Sequence, residues 1–364
     1  MLNRLICLII KELQAILGNR QGRILLIMPV ILQTALFPFA ATLEVKNNTL
    51  LILNADNGAA SIELVQRLSR AAAFTKIIMV QSERELREAI DNQKALLAIN
   101  FPPDFTRRLL DRQSAPLQII IDGRRSNSGQ IASGYATQVI NNYAAELGGQ
   151  AVAALNVRHL YNPNLNYKWH ILPSLVAIIT TIGCLIVTAL SVAREREEGT
   201  FEQLLVSPLT PAYIMAGKAV PGVLVAVAQG SFIAVVATWI YGVPFTGSFA
   251  VLMIGMVCYG LALAGVGLFI SSLCSTQQQA FLGVFSFMVP AVILSGYVAP
   301  IENMPLLLQW VAQVDPLSYF IRILKGVFLK EFGFGDAWPH LWPLLMIALC
   351  TLSAALRMFR RHIN

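Results

Sequence analysis

The chain has 364 residues, of which 56% are hydrophobic and only 13% are charged. Because soluble domains carry about 25% charged residues, this composition excludes an ordinary soluble protein and indicates one that lies largely in lipid. The net charge of +7 does not predict a nucleic-acid partner, since the excess basic residues lie beside apolar segments and not along a polar stripe.

Residues 1–20 predict an amphipathic helix that lies on the inner membrane surface. At 100° per residue, Arg4 and Lys11 lie opposite an apolar stripe about 120° wide. The stripe consists of Leu2, Leu5, Ile6, Ile9, Leu13, Ile16 and Leu17. An ordinary helix packed on protein is the alternative for this segment.

Six apolar runs are long enough, or nearly so, to cross the ~30 Å hydrocarbon layer as helices. None of them contains Asp, Glu, Lys or Arg, whereas ion-coupled carriers usually place such groups inside the membrane. The uncharged spans therefore favour an energy source outside the membrane. The predicted spans are residues 24–41, 171–193, 219–241, 249–273, 280–300 and 341–356.

The basic residues between the spans predict that both termini lie in the cytosol. In that orientation ten Lys and Arg residues lie on the inner side, among them three in the tail of residues 357–364, against three on the outer side outside the long insert. The insert, residues 43–168, is then extracytoplasmic.

The insert holds 25 of the 47 charged residues and none of the five cysteines, so it must be stable without disulfides. Strand-like runs alternate in it with helical runs, which predicts a small α/β domain of unknown strand order. The predicted strands are residues 50–53, 76–80, 95–99 and 117–121, and the predicted helices are residues 61–72, 83–92, 103–112 and 128–155. The fold class is therefore a polytopic α-helical membrane protein with six spans and an inserted extracytoplasmic α/β domain.

Two shorter amphipathic pieces occupy residues 301–339, between the fifth and sixth spans. Pro305 begins the first piece, and Asp315 before Pro316 ends it. Both are too short and too charged to cross the membrane, so they predict re-entrant or interfacial helices on the outer side.

The inner connection between the second and third spans, residues 194–218, is the predicted site of mechanical coupling. Phe201, Leu204 and Leu205 form an apolar face beside an acidic run, and Pro208 ends the segment. A short amphipathic helix joined rigidly to two spans can transmit a push from a cytosolic partner. A solvated loop with no partner is the alternative.

Motifs for chemistry are absent from the sequence. It contains no G-x-x-x-x-G-K-[ST] phosphate loop and no nucleophile elbow, and its four histidines lack metal-ligand spacing. We therefore expect no catalytic residue, cofactor or metal in this chain.

The stretch AREREEGTFEQLLVSPLT at residues 193–210, followed by Gly217-Lys218, resembles the signature of the ABC-2 type exporter permeases. Residues 267–280 (GLFISSLCSTQQQA) and the LSGY run at residues 294–297 are similar to that family too, as is Lys11-Glu12. The resemblance extends over nearly the whole chain and is greatest to bacterial multidrug-export permeases.

This resemblance implies a transporter of the bacterial inner membrane with two permeases and two separate cytosolic ATPase subunits, which bind ATP and Mg. It implies that the inner connection is the coupling helix, with Glu195, Glu198 and Glu202 facing the ATPase and Gly199 allowing close approach or a kink. The coupling residues are Arg194, Glu195, Glu198, Gly199, Thr200, Phe201, Glu202, Leu204, Leu205 and Pro208.

Polar residues within the spans are candidates for the substrate path. The alternative for each is a hydrogen bond to a neighbouring helix, which is a purely structural role of such groups in membranes. The candidates are Gln33, Thr34, Thr180, Thr181, Thr188, Gln229 and Ser231.

The sequence thus predicts a permease that exports a hydrophobic or amphipathic compound when a cytosolic ATPase pushes the inner connection. It leaves open whether the permease pairs with itself or with a sister subunit, and whether the outer domain binds substrate or a periplasmic adaptor. The rival functions are an ion-coupled carrier and a membrane-anchored extracytoplasmic sensor or scaffold.

Overall fold

The computed structural model describes residues 2–40, 48–71, 74–92, 94–111, 113–121, 126–147, 167–206 and 209–361. The chain divides into two compact units, one formed by Met1–Ala41 with Leu160–Asn364 and one formed by Thr42–His159. Helices make up the first unit, and the second unit contains a β-sheet. Each unit has its own core.

The chain begins with two helices, α1 (Leu2–Gly18) and α2 (Arg20–Ala40). One edge of α1 is buried through Leu8, Glu12 and Ile16, which are four residues apart, while Ile6 and Leu17 are exposed. The helix therefore packs on protein along one edge and presents apolar side chains on another. Its buried edge includes a glutamate, which the apolar stripe did not predict.

The second unit alternates strands with helices. Its elements are β1 (Asn48–Asn54), α3 (Ala59–Arg70), β2 (Phe74–Val80), α4 (Glu83–Asp91), β3 (Leu97–Phe101), α5 (Phe105–Leu110), β4 (Gln118–Ile121) and α6 (Ser126–Glu146). The last predicted helix extended to residue 155, and residues 148–166 lie outside the described part of the chain.

The sheet has the order β2-β1-β3-β4. Strands β1, β2 and β3 are parallel, whereas the edge strand β4 runs antiparallel to β3. Alternating side chains of β1 point to opposite faces, so Leu50 and Ile52 lie in one core cluster and Leu51 and Leu53 in another. Both faces of this sheet are therefore apolar and covered.

The first unit resumes with a bundle of helices. They are α7 (Tyr167–Glu197), α8 (Phe201–Leu205), α9 (Pro211–Trp239), α10 (Phe249–Leu273), α11 (Gln277–Leu294), α12 (Leu306–Ala312), α13 (Pro316–Leu329) and α14 (Phe334–Arg361), with a 3-10 turn at Ile301–Asn303.

Six helices among the described residues are long and apolar enough to cross a membrane. They are α2, α7, α9, α10, α11 and α14. The prediction of a polytopic helical membrane protein is therefore confirmed. Helix α11 ends at Leu294, earlier than the predicted span, because the chain turns at Gly296 with φ +80°.

Helix α7 is the centre of the bundle. In its apolar stretch 83% of the residues are buried, whereas in the apolar stretch of α11 only 17% are buried. Neighbouring helices approach each other at glycines of α10. A Cβ atom at Gly260 would lie 3.3 Å from Val223 of α9, and one at Gly265 would lie 2.7 Å from the backbone of Leu352 in α14. The small residues of α10 therefore serve helix packing.

Candidate functional site at the α8 end of the bundle

The predicted coupling connection is shorter in the structure than in the sequence analysis. Residues 194–197 continue α7, and residues 211–218 already belong to α9, so the connection comprises residues 198–210. We call this end of the bundle, where α7 and α10 end and α9 and α11 begin, the α8 end. The charged run does not interrupt α7 because its side chains bond to neighbouring helices, as described below.

Gly199 ends helix α7. Its φ is +70°, the left-handed conformation that glycine adopts without strain, and nothing lies within 4 Å of a Cβ position there. The amide of Gly199 donates to the Arg196 carbonyl at 3.2 Å, and the amide of Thr200 donates to the Glu195 carbonyl at 2.9 Å. This is a Schellman cap. The glycine is therefore required for the turn that follows α7.

Glu195 lies inside the bundle and does not face a partner, which corrects the expected orientation of its carboxylate. It is buried, and its Oε2 lies 2.8 Å from Nζ of Lys218, a fully buried residue of α9. Nζ of Lys218 also lies 2.7 Å from Oε1 of Glu12 on α1, and it donates to Oγ of Ser191 at 3.1 Å. Lys218 thus joins three helices.

Lys11 completes this ion network, which comprises Lys11, Glu12, Glu195 and Lys218. Its Nζ lies 2.9 Å from Oε1 of Glu195, and its side chain is 57% exposed. Partial burial lowers the pKa of Lys11, but the hydrogen bond to Glu195 and the nearby carboxylates outweigh this and raise its pKa. Two cations thus face two anions, so the network carries no net charge.

The ion network holds α1 against α9. A Cβ atom at Gly217 would lie 2.4 Å from Cδ2 of Leu8, so the missing side chain of that glycine makes room for Leu8 beside the ion pair. Lys218 lies in the segment predicted from the sequence as the inner connection, residues 194–218. Its place next to Gly217, within a helix begun by Pro211, is the signal that could have revealed its burial.

Two further residues at the end of α7 bond to other helices. Nη1 of Arg196 donates to the carbonyls of Ser272 at 3.0 Å and Cys274 at 3.1 Å, at the C-terminus of α10. Oε2 of Glu197 accepts from the amide of Gln277 at 2.9 Å, at the N-terminus of α11. The positive Arg196 thus lies at a helix C-terminus and the negative Glu197 at a helix N-terminus, which is the arrangement that the helix dipole favours.

Phe201 also packs within its own chain, although it was expected to form part of an apolar docking face. Its ring lies 5.0 Å from the guanidinium of Arg196 and 5.7 Å from the ring of Phe359 in α14. Side chains of Leu204 and Leu205 lie outside the described residues, as does Pro208 altogether. We call residues 198–206 the turn, and Phe201 attaches it to α14 as well.

The surface that remains exposed at the turn is acidic and apolar. Glu198 and Glu202 are exposed, as is Val206, whose exposed fraction is 87%. Arg194 and Thr200 are half-buried. Among the predicted contact carboxylates, those of Glu198 and Glu202 are therefore the ones that a second protein can reach.

The threonines of the predicted substrate path are buried between helices. Thr180, Thr181 and Thr188 each donate to a carbonyl of α7, and Thr181 also bonds to the hydroxyl of Tyr259 at 2.6 Å. Cβ atoms at Gly222 and Gly267 would both overlap Thr188, so that residue fills a three-helix junction. The alternative of a hydrogen bond to a neighbouring helix describes Thr181, whereas Thr180 and Thr188 bond within α7.

The other candidates lie along α2 and α9. Nε2 of Gln229 donates to the Leu26 carbonyl at 2.9 Å, and the hydroxyl of Ser231 lies 4.0 Å from the sulfur of Met253. Thr34 is buried and Gln33 is half-buried. Gln229 also borders an apolar groove of about 580 Å³ between α1, α2 and α9. Thr180 of α7 lies near the α9 candidates, because a Cβ atom at Gly230 would lie 3.1 Å from its Oγ1.

Known proteins are similar to this chain along its whole length. Residues 22–357 match the model of the family described as ABC-2 family transporter protein. The probable multidrug ABC transporter permease YbhR of Escherichia coli (strain K12) is 54% identical over 367 residues, which cover 100% of both chains.

Two further relatives come from the same strain. The inner membrane transport permease YhhJ is 28% identical, with 98% of this chain and 96% of the relative covered. The probable multidrug ABC transporter permease YbhS is 26% identical, with 90% and 88% covered. The matches confirm the resemblance read from residues 193–210, and the chain belongs to the ABC-2 family of transporter proteins, as a permease subunit of an ABC exporter.

Proposed function

We propose that this permease exports amphipathic compounds across the bacterial inner membrane, with its α8 end and both termini in the cytosol. Basic residues support this orientation. Lys11 and Lys218 are paired with carboxylates in the ion network, which leaves eight of the ten basic residues counted for the inner side, still against three outside. In this orientation the α/β unit lies outside the cytoplasm. The multidrug relatives support an amphipathic cargo.

A separate cytosolic ATPase supplies the energy in this proposal, and it binds ATP and Mg. The observation that carries the proposal is the attachment of the α7 end, together with Phe201 of α8, to five other helices. Glu195 bonds to α1 and α9, Arg196 to α10, Glu197 to α11, and Phe201 contacts α14. A displacement of the exposed turn at Glu198 is therefore transmitted to most of the bundle.

A second permease completes the proposed transporter, either another copy or a sister subunit. The low burial of two spans supports a second permease, since only 17% of the apolar stretch of α11 and 22% of that of α2 are buried. Lipid covers whatever part of these faces the second permease leaves free.

Charge reversal at the turn tests the proposed ATPase contact. We expect Glu198→Arg with Glu202→Arg to abolish substrate-stimulated ATP hydrolysis and to weaken co-purification of the ATPase, because like charges then face its basic groups. The ATP hydrolysis rate of the purified complex in nanodiscs is the measurement. Glu302→Arg, an exposed carboxylate change near α12, is the matched control.

The double variant should still insert into the membrane and elute as a single species, since both side chains are exposed. Stimulation at the level of the unchanged complex would refute the assignment of the turn as the ATPase contact.

A further inference from the structure

The apolar groove between α1, α2 and α9 lies at the surface of the bundle. Ten of the eleven described residues that line it are apolar. Leu17 of α1, Ile27 and Ile31 of α2 and Phe232 of α9 are each about half exposed there. The volume of about 580 Å³ lies within the range of roughly 300–1,000 Å³ that is usual for ligand pockets. The groove can therefore hold part of a ligand and offers it an apolar surface.

The one polar residue of the lining, Gln229, is bonded within the protein. Its Nε2 donates to the Leu26 carbonyl of α2 at 2.9 Å, and a Cβ atom at Gly183 of α7 would overlap its Oε1. The side-chain amide is therefore turned towards α2 and α7. Hydrocarbon is the chemistry that the remaining surface of the groove matches.

Contacts beneath the groove fix its walls. Ile16, Leu26 and Val187 form a small buried cluster, and Val225 packs against it. A Cβ atom at Gly22 would overlap the carbonyl of Ile16, so this glycine lets α2 begin directly against α1. The groove is therefore part of the packed structure.

Helix α2 runs beside α9 in the same direction. Leu26 bonds to Gln229, and further along both segments the hydroxyl of Tyr241 donates to the Thr34 carbonyl at 2.9 Å. The start of α2 therefore lies nearer the α8 end than the groove does. In the proposed orientation, this is the cytosolic side of the membrane.

Two arginines, Arg20 and Arg23, occupy the start of α2. They precede the first groove residue of that helix, Leu26, by six and three residues, which is about 9 and 4.5 Å along the axis. Both side chains are exposed, and neither guanidinium forms an ion pair within the described ranges. Two cations thus lie beside the cytosolic end of an apolar groove.

The exposed charge of α1 and α2 is entirely positive. Glu12 is the one acidic residue among positions 1–41, and it lies buried against Lys218. Arg4 is exposed as well, and the side chain of Lys11 is 57% exposed. Basic residues next to a membrane helix on its cytosolic side attract the anionic lipid headgroups of that leaflet.

We propose that this groove binds an anionic phospholipid of the inner leaflet, with one acyl chain between α1, α2 and α9 and the headgroup phosphate at Arg20 and Arg23. The inference uses the orientation proposed above and is independent of the exported compound. A neutral or cationic cargo would leave both arginines unmatched. A second permease fits less well, because a two-fold contact brings the same patch of both copies together and four arginines would meet.

A pair of substitutions removes the headgroup contact. Arg20→Gln with Arg23→Gln retains polar side chains at two exposed positions but removes both charges. Arg357→Gln with Arg360→Gln is the matched control. These two arginines are also exposed and also three residues apart, near the C-terminus of α14.

A further substitution blocks the acyl-chain contact. Ala228 lines the groove and is exposed, so Ala228→Trp fills the groove without entering the core. Ala250→Trp, at an exposed alanine in the first turn of α10, controls for the added indole ring.

The test is native mass spectrometry of the delipidated full-length chain, titrated with phosphatidylglycerol or with phosphatidylcholine of the same acyl chains. We expect the unchanged chain to bind phosphatidylglycerol more tightly than phosphatidylcholine. Arg20→Gln with Arg23→Gln should weaken phosphatidylglycerol binding about tenfold or more without altering phosphatidylcholine binding, because the attraction to the headgroup is lost. Ala228→Trp should weaken the binding of both lipids, and neither control should change either affinity. Glycerol phosphate, which has the anionic group without the chains, should not displace phosphatidylglycerol.

Equal binding of the two lipids to the unchanged chain overturns the proposal, as does unaltered phosphatidylglycerol binding in the Arg20 and Arg23 double variant or in Ala228→Trp. An equal loss in the Arg357 and Arg360 control would show general attraction to a basic surface, which overturns it too. A dimer in lipid-free detergent that Ala228→Trp dissociates would assign the groove to a second copy. Displacement of phosphatidylglycerol by an exported compound would assign the groove to the cargo. Either result overturns the lipid site.

The lipid titration uses the chain without the ATPase, so its outcome is separate from that of the transport assay. Loss of selective lipid binding overturns this inference alone. Selective lipid binding without ATP-driven transport supports the lipid site and overturns the proposed export.

Discussion

At the scale of single residues, the α8 end is organised by charges that are paired inside the protein. Lys218 is fully buried between Glu12 and Glu195, and Lys11 covers Glu195 from the exposed side. A buried ion pair gives little net stability over an apolar pair, but loss of one partner leaves an uncompensated charge. The arrangement therefore specifies how α1 lies against α7 and α9.

Removal of Lys218 should be far more damaging than removal of Lys11. We expect Lys218→Met to destabilise the chain by about 3–5 kcal/mol, because the buried Glu12 loses its ion pair with Lys218 and the buried Glu195 keeps only the exposed Lys11. Lys11→Met should cost about 1 kcal/mol or less, since the Lys11 side chain is 57% exposed. The thermal unfolding midpoint of the purified chain in detergent is the measurement.

A triple variant controls for the loss of packing. Lys218→Met with Glu12→Gln and Glu195→Gln removes the unpaired charges as well, so it should unfold at a higher temperature than Lys218→Met alone. Equal midpoints for the Lys218→Met and Lys11→Met variants would contradict the structural role of the ion network.

At the scale of elements, features that depend on residues close together in the sequence could be predicted, and features that depend on contacts between distant residues could not. Hydropathy is local, and each predicted span overlaps one of the six long apolar helices. Strand order in the α/β unit depends on pairing between distant segments. The strand at residues 117–121 was predicted, but its edge position and its antiparallel direction could not be. The same limit applies to the contact between Glu12 and Lys218, which are 206 positions apart.

The acidic residues near the end of α7 differ in the direction in which their carboxylates point, and the sequence pattern did not predict this difference. The run from Glu195 to Glu198 looks solvated because it is highly charged, yet Glu195, Arg196 and Glu197 each bond within the chain. Their helical spacing turns Glu195 towards α9 and leaves Glu198 exposed. Only the position of Lys218 decides which carboxylate turns inward, and that position is a tertiary contact.

The glycine cap of α7 provides a prediction at this scale. Gly199→Ala should destabilise the turn by about 1–2 kcal/mol, because an alanine is strained at φ +70°. Gly335→Ala is the control, since Gly335 lies in α14 with open space at its Cβ position and no positive φ. We expect faster amide hydrogen exchange at residues 198–206 in the first variant alone. Unchanged exchange there would show that the turn tolerates a side chain.

At the scale of the whole molecule, the proposed orientation places the α/β unit on the outer side of the membrane. The orientation rests on basic residues. In a chain without native cysteines, Arg84→Cys in the α/β unit should react with an impermeant thiol reagent in intact cells, because the Arg84 side chain is 89% exposed. Glu202→Cys should react only after lysis. The reverse pattern would invert the topology.

The account as a whole depends on energy that reaches the permease from another protein at the α8 end. The most direct test is transport of an amphipathic compound into inverted vesicles that contain the purified chain, with and without the ATPase and ATP, in the absence of any ion gradient. We expect transport only when both are present, although no proton gradient exists across the vesicle membrane. Transport by the chain alone without nucleotide would contradict the account.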